Sequence, residues 1–155
     1  WQGRRRAVRC TGSTHSGTDH QNTQLIMWCK LRKKEVADTP EESVRQWFIE
    51  QLLAKGVPEG LMNCEVFLRL GSKPYRADIL IFDRSGKPLA IVECKRRDVN
   101  ISQAVVNQAL RYHGALEVKF ICLTNGNNTY IYRRQGSGFV PCDQMPSYEE
   151  MLCLQ

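Results

Sequence analysis

The 155-residue sequence has no long hydrophobic run, and no segment approaches the roughly 20 consecutive apolar residues that a membrane-spanning helix needs. Glycine and proline are not enriched, with 11 and 6 residues, and the charged fraction is an ordinary 25%. These values exclude collagen-like, coiled-coil and wholly disordered classes and are typical of a globular chain. The length suits one domain with its own core and is several times too short for an ATP-driven motor with helicase domains.

Paired cysteine motifs are also missing. The seven cysteines contain no Cys-x-x-Cys pair and no zinc-like spacing. Three of them lie inside apolar runs and are predicted to be small buried hydrophobic residues: Cys64, Cys94 and Cys122. The first residues include arginines but no following apolar stretch of the kind found in signal peptides. Together these features predict free thiols and a cytoplasmic location.

Acidic residues are nearly absent from the first 34 positions, which hold eight lysines and arginines and the single acid Asp19. The other 121 residues hold fourteen basic and fifteen acidic side chains, so the excess positive charge belongs to the N-terminal segment. Residues 1–23 also contain few large aliphatic side chains and are predicted to form a disordered basic arm. Such an arm suits nucleic acid or another anionic surface, and a solvated tail without a specific role is the alternative.

The remaining sequence predicts an α/β domain over residues 24–140, followed by a C-terminal tail at 141–155. Thr39-Pro40-Glu41-Glu42 is typical of a helix start, and apolar residues continue at helical spacing to Lys55. Strand patterns follow at 61–70, 75–82 and 88–95, then a helix at 101–117, a buried strand at 118–123 and an edge strand at 129–134. A single helical turn is expected at 148–152. This order predicts a mixed sheet flanked by helices.

The strands at 75–82 and 88–95 form a predicted hairpin whose register carries chemical information. A two-residue Ser85-Gly86 turn would place Asp78 directly opposite Glu93, and alternation would put Arg76, Asp78 and Leu80 on one face. Two opposed carboxylates in so apolar a pair of strands are unfavourable, and a divalent cation such as Mg²⁺ would relieve the repulsion. Replacing either acid by its amide would then leave the metal-free fold at least as stable.

These residues resemble the signature of the PD-(D/E)XK nuclease superfamily, in which an Asp on one strand precedes acid-x-Lys on the next. Asp78 and the segment Glu93-Cys94-Lys95 match it, and Gln108 and Tyr112 have the Gln-x-x-x-Tyr spacing of the RecB-like branch. The wider pattern is similar to the N-terminal nuclease domain of type I restriction enzyme R subunits. The segments that carry this likeness are Thr39–Glu42, Arg76-Ala77-Asp78, Pro88-Leu89 and Thr124-Asn125-Gly126.

The resemblance implies a restriction-endonuclease-like αβββαβ core with a mixed central sheet, acting as a metal-dependent DNA endonuclease. It implies metal ligands at Asp78 and Glu93, with Mg²⁺ as the cofactor and Mn²⁺ as the alternative, and catalytic assistance from Lys95. Gln108 and Tyr112 would support the same site from the second helix, and Gln108 could also contact nucleic acid. DNA is the implied partner, together with a separate motor or specificity protein, and no membrane is involved.

Other residues carry two interpretations. Glu42 is either the acid that the family places on its first helix or a capping-box residue, and Glu41 competes for the first role. Glu65 is a further candidate acid, and Arg96 and Arg97 are either phosphate contacts or a solvated charge run. His113 is expected to be an ordinary residue on the helix surface. A binding module that holds nucleic acid or a partner protein without cleavage is the alternative function.

Overall fold

The structure is a computed structural model that describes residues 24–154 and the backbone of Arg6–Ala7. A small antiparallel sheet contains β1 (Arg6–Ala7), β2 (Leu25–Cys29) and β3 (Lys34–Ala37). A six-stranded sheet follows in the spatial order β4 (Met62–Leu70), β5 (Lys73–Phe82), β6 (Pro88–Cys94), β7 (Phe120–Thr124), β8 (Thr129–Gln135) and β9 (Gly138–Cys142). Its neighbouring strands are antiparallel except for β6 and β7, which are parallel, so the sheet is mixed as predicted.

Helix α1 (Pro40–Ala54) covers one face of the large sheet. The hydroxyl of Thr39 caps it by accepting from the backbone N–H of Glu42 at 3.1 Å, and Pro40 occupies the first turn, where a missing N–H costs nothing. The helix ends at Lys55 before a short 3₁₀ turn at Glu59–Leu61. Its buried side chains pack on β5, β6 and β7 in one apolar cluster, and those of α1 are Val44, Phe48, Ile49 and Leu52.

Helix α2 (Gln103–Gly114) covers the opposite face and makes the crossover between the parallel strands β6 and β7. Ser102 caps it through the N–H of Val105. Val106 and Ala109 pack against Leu80, Ile91 and Ile121 in the second apolar cluster. The element sequence α1, β4, β5, β6, α2, β7 is the predicted αβββαβ core, and this prediction is confirmed.

The end of α2 is fastened by a residue on β8. The guanidinium of Arg134 donates to three backbone carbonyls, at 3.2 Å to Gly114, 2.7 Å to Leu116 and 2.9 Å to Val118. Its charged carbon also lies 4.6 Å from the centre of the Phe139 ring on β9. These contacts fix the connection between α2 and β7 to the neighbouring strands.

Helix α3 (Tyr148–Cys153) confirms the helical turn expected near the C-terminus. Tyr148 and Met151 are buried in the cluster under α1, and the Tyr148 hydroxyl donates to the carbonyl of Phe82 at 2.9 Å. The segment after residue 140 is therefore joined to the body by buried contacts. No helix within residues 24–154 is long and apolar enough to cross a membrane.

One part of the predicted strand pattern is wrong, and one strand was missed. Strand β8 is not an edge strand, because β9 pairs with it on its outer side. Strand β3 was not predicted, because only two of its four residues are apolar and it begins at the end of a basic cluster. Within the predicted disordered arm only Arg6–Ala7 is described, as a short strand on β2, and the prediction for the other arm residues lies outside the described part of the chain.

Candidate active site

The predicted register of the β5–β6 hairpin is confirmed, although the predicted turn is wrong. Ile79 pairs with Val92, and the same register one residue further on places Asp78 opposite Glu93. The turn is longer than Ser85-Gly86: the N–H of Asp83 donates to the carbonyl of Lys87 at 2.8 Å, and Gly86 has a φ of +84°. A bulge next to Phe82 shifts the pairing by one residue and compensates for the longer turn.

The predicted faces of β5 are only partly correct. Tyr75 and Ala77 pack with Leu80 under α2, whereas Ile79 faces α1. Strict alternation would put Ala77 and Ile79 on the same face, so the strand changes face at Asp78. Directly across the ladder on β4, Glu65 has a φ of +54°, a left-handed conformation that is uncommon for a residue other than glycine.

Asp78 lies where β5 changes face, and its carboxylate accepts two hydrogen bonds. Its Oδ2 accepts from the backbone N–H of Cys94 at 2.8 Å, and its Oδ1 accepts from Nη2 of Arg45 at 3.0 Å. The carboxylate is thus neutralised by a helix residue in addition to any ligand that it binds. The expectation that Asp78 and Glu93 repel one another without compensation is therefore wrong for the metal-free chain.

Glu93 is compensated separately. Its Oε1 lies 2.7 Å from Nζ of Lys95, and its Oε2 lies 3.2 Å from Nε2 of His113. The hydrogen bond with His113 has the largest effect on the pKa of Glu93 and lowers it. Burial raises this pKa, Lys95 lowers it further, and the resulting pKa is about 2. Glu93 is therefore ionised at neutral pH, as a metal ligand must be.

The prediction for His113 is wrong, because the side chain is 2% exposed rather than on the helix surface. Sequence spacing did carry a signal. His113 continues the stripe formed by Val106 and Ala109 at positions i, i+3 and i+7, all three of which are buried. A polar residue on the buried stripe of an amphipathic helix points towards the sheet, here towards Glu93.

Glu42 also faces the site. Its carboxylate pairs with Arg32 and Arg45 and accepts from Nε2 of Gln46 at 2.8 Å. Only half of a capping box is present: Thr39 caps the N–H of Glu42, whereas the N–H of Thr39 donates to the carbonyl of Ala37 instead of to Glu42. The carboxylate of Glu42 is thus engaged with arginines beside Asp78 rather than in the helix cap.

Arg45 is the centre of this charge network; the segment Val44-Arg45-Gln46 is part of the family resemblance, but this role of Arg45 was not predicted. Arg45 is 3% exposed and pairs with Glu42, with Asp78 and, at 2.6 Å, with Glu65. Glu65 also pairs with Arg76 at 2.7 Å. Burial raises the pKa of Glu65, but the two arginines outweigh this effect, and the pKa is lowered. Arg45 lies in the second turn of α1 between Val44 and Gln46, and nothing in the local sequence distinguishes it from an exposed arginine.

Two cavities meet at the candidate catalytic residues. One, of about 800 Å³, opens towards α2, and the other, of about 680 Å³, opens towards α1. Both are lined by Arg76, Asp78, Glu93 and Lys95. The three residues of the nuclease motif therefore lie together at the junction of two solvent-accessible clefts.

The predicted partners on α2 line the first cavity. Gln108 and Tyr112 share it with Asp78, Glu93 and Lys95. Tyr112 is 44% exposed, its ring centre lies 4.8 Å from that of Tyr75, and its hydroxyl donates to the carbonyl of Pro74 at 3.2 Å. The geometry is compatible with the predicted supporting role, which stays a prediction.

The two arginines after Lys95 lie in different places. Arg96 lines the second cavity and pairs with Asp98 at 3.0 Å. Arg97 lies against the Asn125-Gly126 turn, where it donates to Asn127 at 3.3 Å. Both are exposed, so both are accessible to a phosphate, and Arg96 is adjacent to the candidate site.

The donor set fits a hard divalent cation. Within residues 24–154 no three or more His, Cys, Asp or Glu side chains form a ready metal-ligand group. Mg²⁺ is nevertheless often held by one or two carboxylates, with water and substrate phosphate in the other positions. Asp78 and Glu93 provide two ionisable oxygen donors with side chains that are 18% and 26% exposed, next to clefts that admit water.

The fold and the arrangement of Asp78, Glu93 and Lys95 define a restriction-endonuclease-like domain of the PD-(D/E)XK class. A model of the family described as type I restriction enzyme R protein N terminus (HSDR_N) matches residues 40–146. This range is more than half of the chain, and the chain belongs to that family. No curated protein resembles the chain closely enough to count as a match.

Two solved structures share the fold. One is a fragment of a candidate HsdR subunit of a type I restriction enzyme from Vibrio vulnificus YJ016, with a TM-score of 0.55 and 22% identity over 74% of this chain. The other is a candidate nuclease belonging to DUF820 from Anabaena variabilis ATCC 29413, with a TM-score of 0.50 and 14% identity over 79% of this chain. The chain covers 25% of the first protein and 82% of the second.

Proposed function

We propose that this nuclease-related domain is a divalent-metal-dependent DNA endonuclease in which Asp78 and Glu93 hold the metal. The observation that carries the proposal is the position of these two carboxylates and Lys95 at the junction of the two cavities. A domain that only binds DNA has no need of two ionised carboxylates at such a junction, since they repel phosphate. When bound, the cation would supply charge neutralisation and activation of water for phosphodiester hydrolysis.

The protein side chains would divide the remaining work. Lys95 keeps its ammonium group 2.7 Å from Glu93 while remaining 34% exposed, so it can orient water or offset negative charge that develops on a phosphate. Arg45 on α1 donates to Oδ1 of Asp78, and the backbone N–H of Cys94 donates to Oδ2, so both oxygens are held in place. Because both carboxylate groups are held before substrate arrives, little reorganisation is needed for ligand binding.

DNA is the proposed substrate, and Mg²⁺, or alternatively Mn²⁺, is the proposed cofactor. The chain spans a quarter of the R-subunit chain that it resembles, and a separate motor or specificity protein is proposed as a further partner. Near-neutral charge in residues 35–155 favours the second candidate, a module that binds without cutting.

Plasmid cleavage distinguishes the two functions. Supercoiled DNA is incubated with the wild-type chain and with Lys95→Ala, each in Mg²⁺ and in EDTA, and DNA binding is measured in parallel. The proposal expects nicked or linear product with Mg²⁺ only and a loss of about 10²–10³-fold in Lys95→Ala with the DNA affinity largely kept. Binding without cleavage by the wild type would establish the binding module instead, and equal cleavage by both chains would exclude this site.

A further inference from the structure

The buried ring of His113 touches the candidate metal site but belongs to neither motif that defines it. It is 2% exposed, lies on α2, and has one hydrogen-bond partner, Oε2 of Glu93 at 3.2 Å. Its other ring nitrogen, Nδ1, is buried and has no partner. A buried polar side chain whose only bond is to a proposed metal ligand calls for an explanation beyond packing.

The absence of a partner for Nδ1 indicates which ring nitrogen of His113 carries the proton. If Nδ1 carried the only proton, a buried donor would be left without an acceptor, and the lone pair of Nε2 would face a carboxylate oxygen. With the proton on Nε2, the ring donates to Glu93 and leaves only an acceptor unsatisfied in an apolar setting. The geometry therefore points to an Nε2–H donor directed at Oε2 of Glu93.

We infer that His113 is a positioning residue that orients the Glu93 carboxylate so that it can share a cation with Asp78. This inference rests on the proposed function. Glu93 has one partner on each oxygen, Lys95 on Oε1 and His113 on Oε2, and these partners come from different elements. Lys95 has a long, flexible side chain that is 34% exposed, whereas His113 is buried on α2 and its ring centre lies 4.9 Å from that of Tyr112 in an edge-to-face arrangement. Without His113, only the flexible ammonium group would set the direction of the carboxylate.

The His113 ring contacts Oε2 of Glu93 from the α2 side, and Lys95 contacts Oε1, so the carboxylate of Glu93 lies between the ring and Lys95. Residues that orient metal ligands in this way change metal affinity by about 10–100-fold when they are replaced. His113 should accordingly affect the binding of the cation before any step of DNA cleavage.

The test compares His113→Leu with His113→Gln, because the glutamine amide can replace the Nε2–H donor and leucine cannot. Binding of Mn²⁺ to the DNA-free chain is measured by calorimetry, and thermal melting is recorded for each variant. Val106→Ala is the matched control, since Val106 is 2% exposed in the same cluster on α2 but does not line the site cavity. We expect His113→Leu to lose about tenfold in Mn²⁺ affinity, His113→Gln to stay within about threefold of wild type, and Val106→Ala to lose melting temperature alone.

The outcomes separate this inference from the proposed function. Equal Mn²⁺ affinity in wild type and His113→Leu overturns the role of His113 and leaves the nuclease proposal standing. Absence of Mn²⁺ binding by the DNA-free wild type overturns the role of His113, and it overturns the nuclease proposal as well when Mg²⁺-dependent plasmid cleavage is also absent. A parallel ¹⁵N NMR measurement on the metal-free chain identifies the protonated ring nitrogen: an Nε2–H supports the inference, and a neutral ring protonated at Nδ1 overturns it.

Discussion

Arg45 on α1 and Asp78 on β5 form an ion pair across 33 positions of sequence, with Nη2 of Arg45 3.0 Å from Oδ1 of Asp78. The arginine is 3% exposed, so its charge depends on the carboxylates around it for solvation. Through this pair the first helix reaches the strand that carries the first proposed metal ligand. Fold stability and site geometry are therefore coupled at one residue.

Arg45→Met should be strongly destabilising. It would leave Asp78, Glu42 and Glu65 without their shared buried cation, and breaking a buried pair by removal of one partner costs about 3–5 kcal/mol. Arg76→Met is the matched control, because Arg76 pairs with the same Glu65 but is 53% exposed, where pairs contribute about 0–1 kcal/mol. Urea denaturation measures both. Similar losses in the two variants would show that Arg45 is not an essential cation of the core.

Glu93→Gln should destabilise the metal-free chain instead of leaving it unchanged. The pKa of Glu93 is lowered from 4.5 to about 2, so its ionised form stabilises the fold above pH 4.5, and this contribution is lost as the pH falls from 4.5 towards 2. The shift corresponds to about 3 kcal/mol at most. Melting curves between pH 7 and pH 2 should show a steeper acid loss in wild type than in Glu93→Gln. Parallel curves would mean that His113 and Lys95 do not stabilise the carboxylate.

Gln108→Ala and Tyr112→Phe test the support expected from α2. Both side chains line the first cavity, and the Tyr112 hydroxyl makes one exposed hydrogen bond to Pro74, so each change should cost less than about 1 kcal/mol in stability. Plasmid cleavage or DNA affinity should nevertheless fall in both variants. Unchanged cleavage and binding would remove the Gln-x-x-x-Tyr spacing from the argument and leave Asp78, Glu93 and Lys95 to carry it alone.

Deletion of residues 1–23 should change DNA binding more than stability. The segment has few apolar residues and four arginines, so the melting temperature should hardly move while affinity falls. If all four arginines contact phosphate, the slope of log affinity against log salt should flatten by about 3–4. Fluorescence anisotropy at several salt concentrations measures this slope. An unchanged slope would show that the basic segment does not contact DNA.

The elements that sequence patterns predicted well are those with strong local signals. The start of α1 follows from Thr39 and Pro40. The hairpin register was predicted from a Ser85-Gly86 turn, and it is correct because the bulge next to Phe82 compensates for the longer turn. The change of face at Asp78 was not predictable, because Glu65 adopts a left-handed backbone conformation without the glycine that usually marks it. The roles of Arg45 and His113 were missed because burial on a helix depends on the sheet packed against it, which local spacing only suggests.

The attachment of α2 by Arg134 has a consequence for genetics. His113 lies next to Gly114, whose carbonyl is the first of the three that Arg134 holds, so a residue on β8 anchors the end of α2 beside His113. Arg134 belongs to no nuclease motif and does not line either cavity at Asp78 and Glu93. In a screen for loss of function, substitutions at Arg134 should therefore fall in the same phenotypic class as substitutions in the site, although no comparison of motifs would select this position.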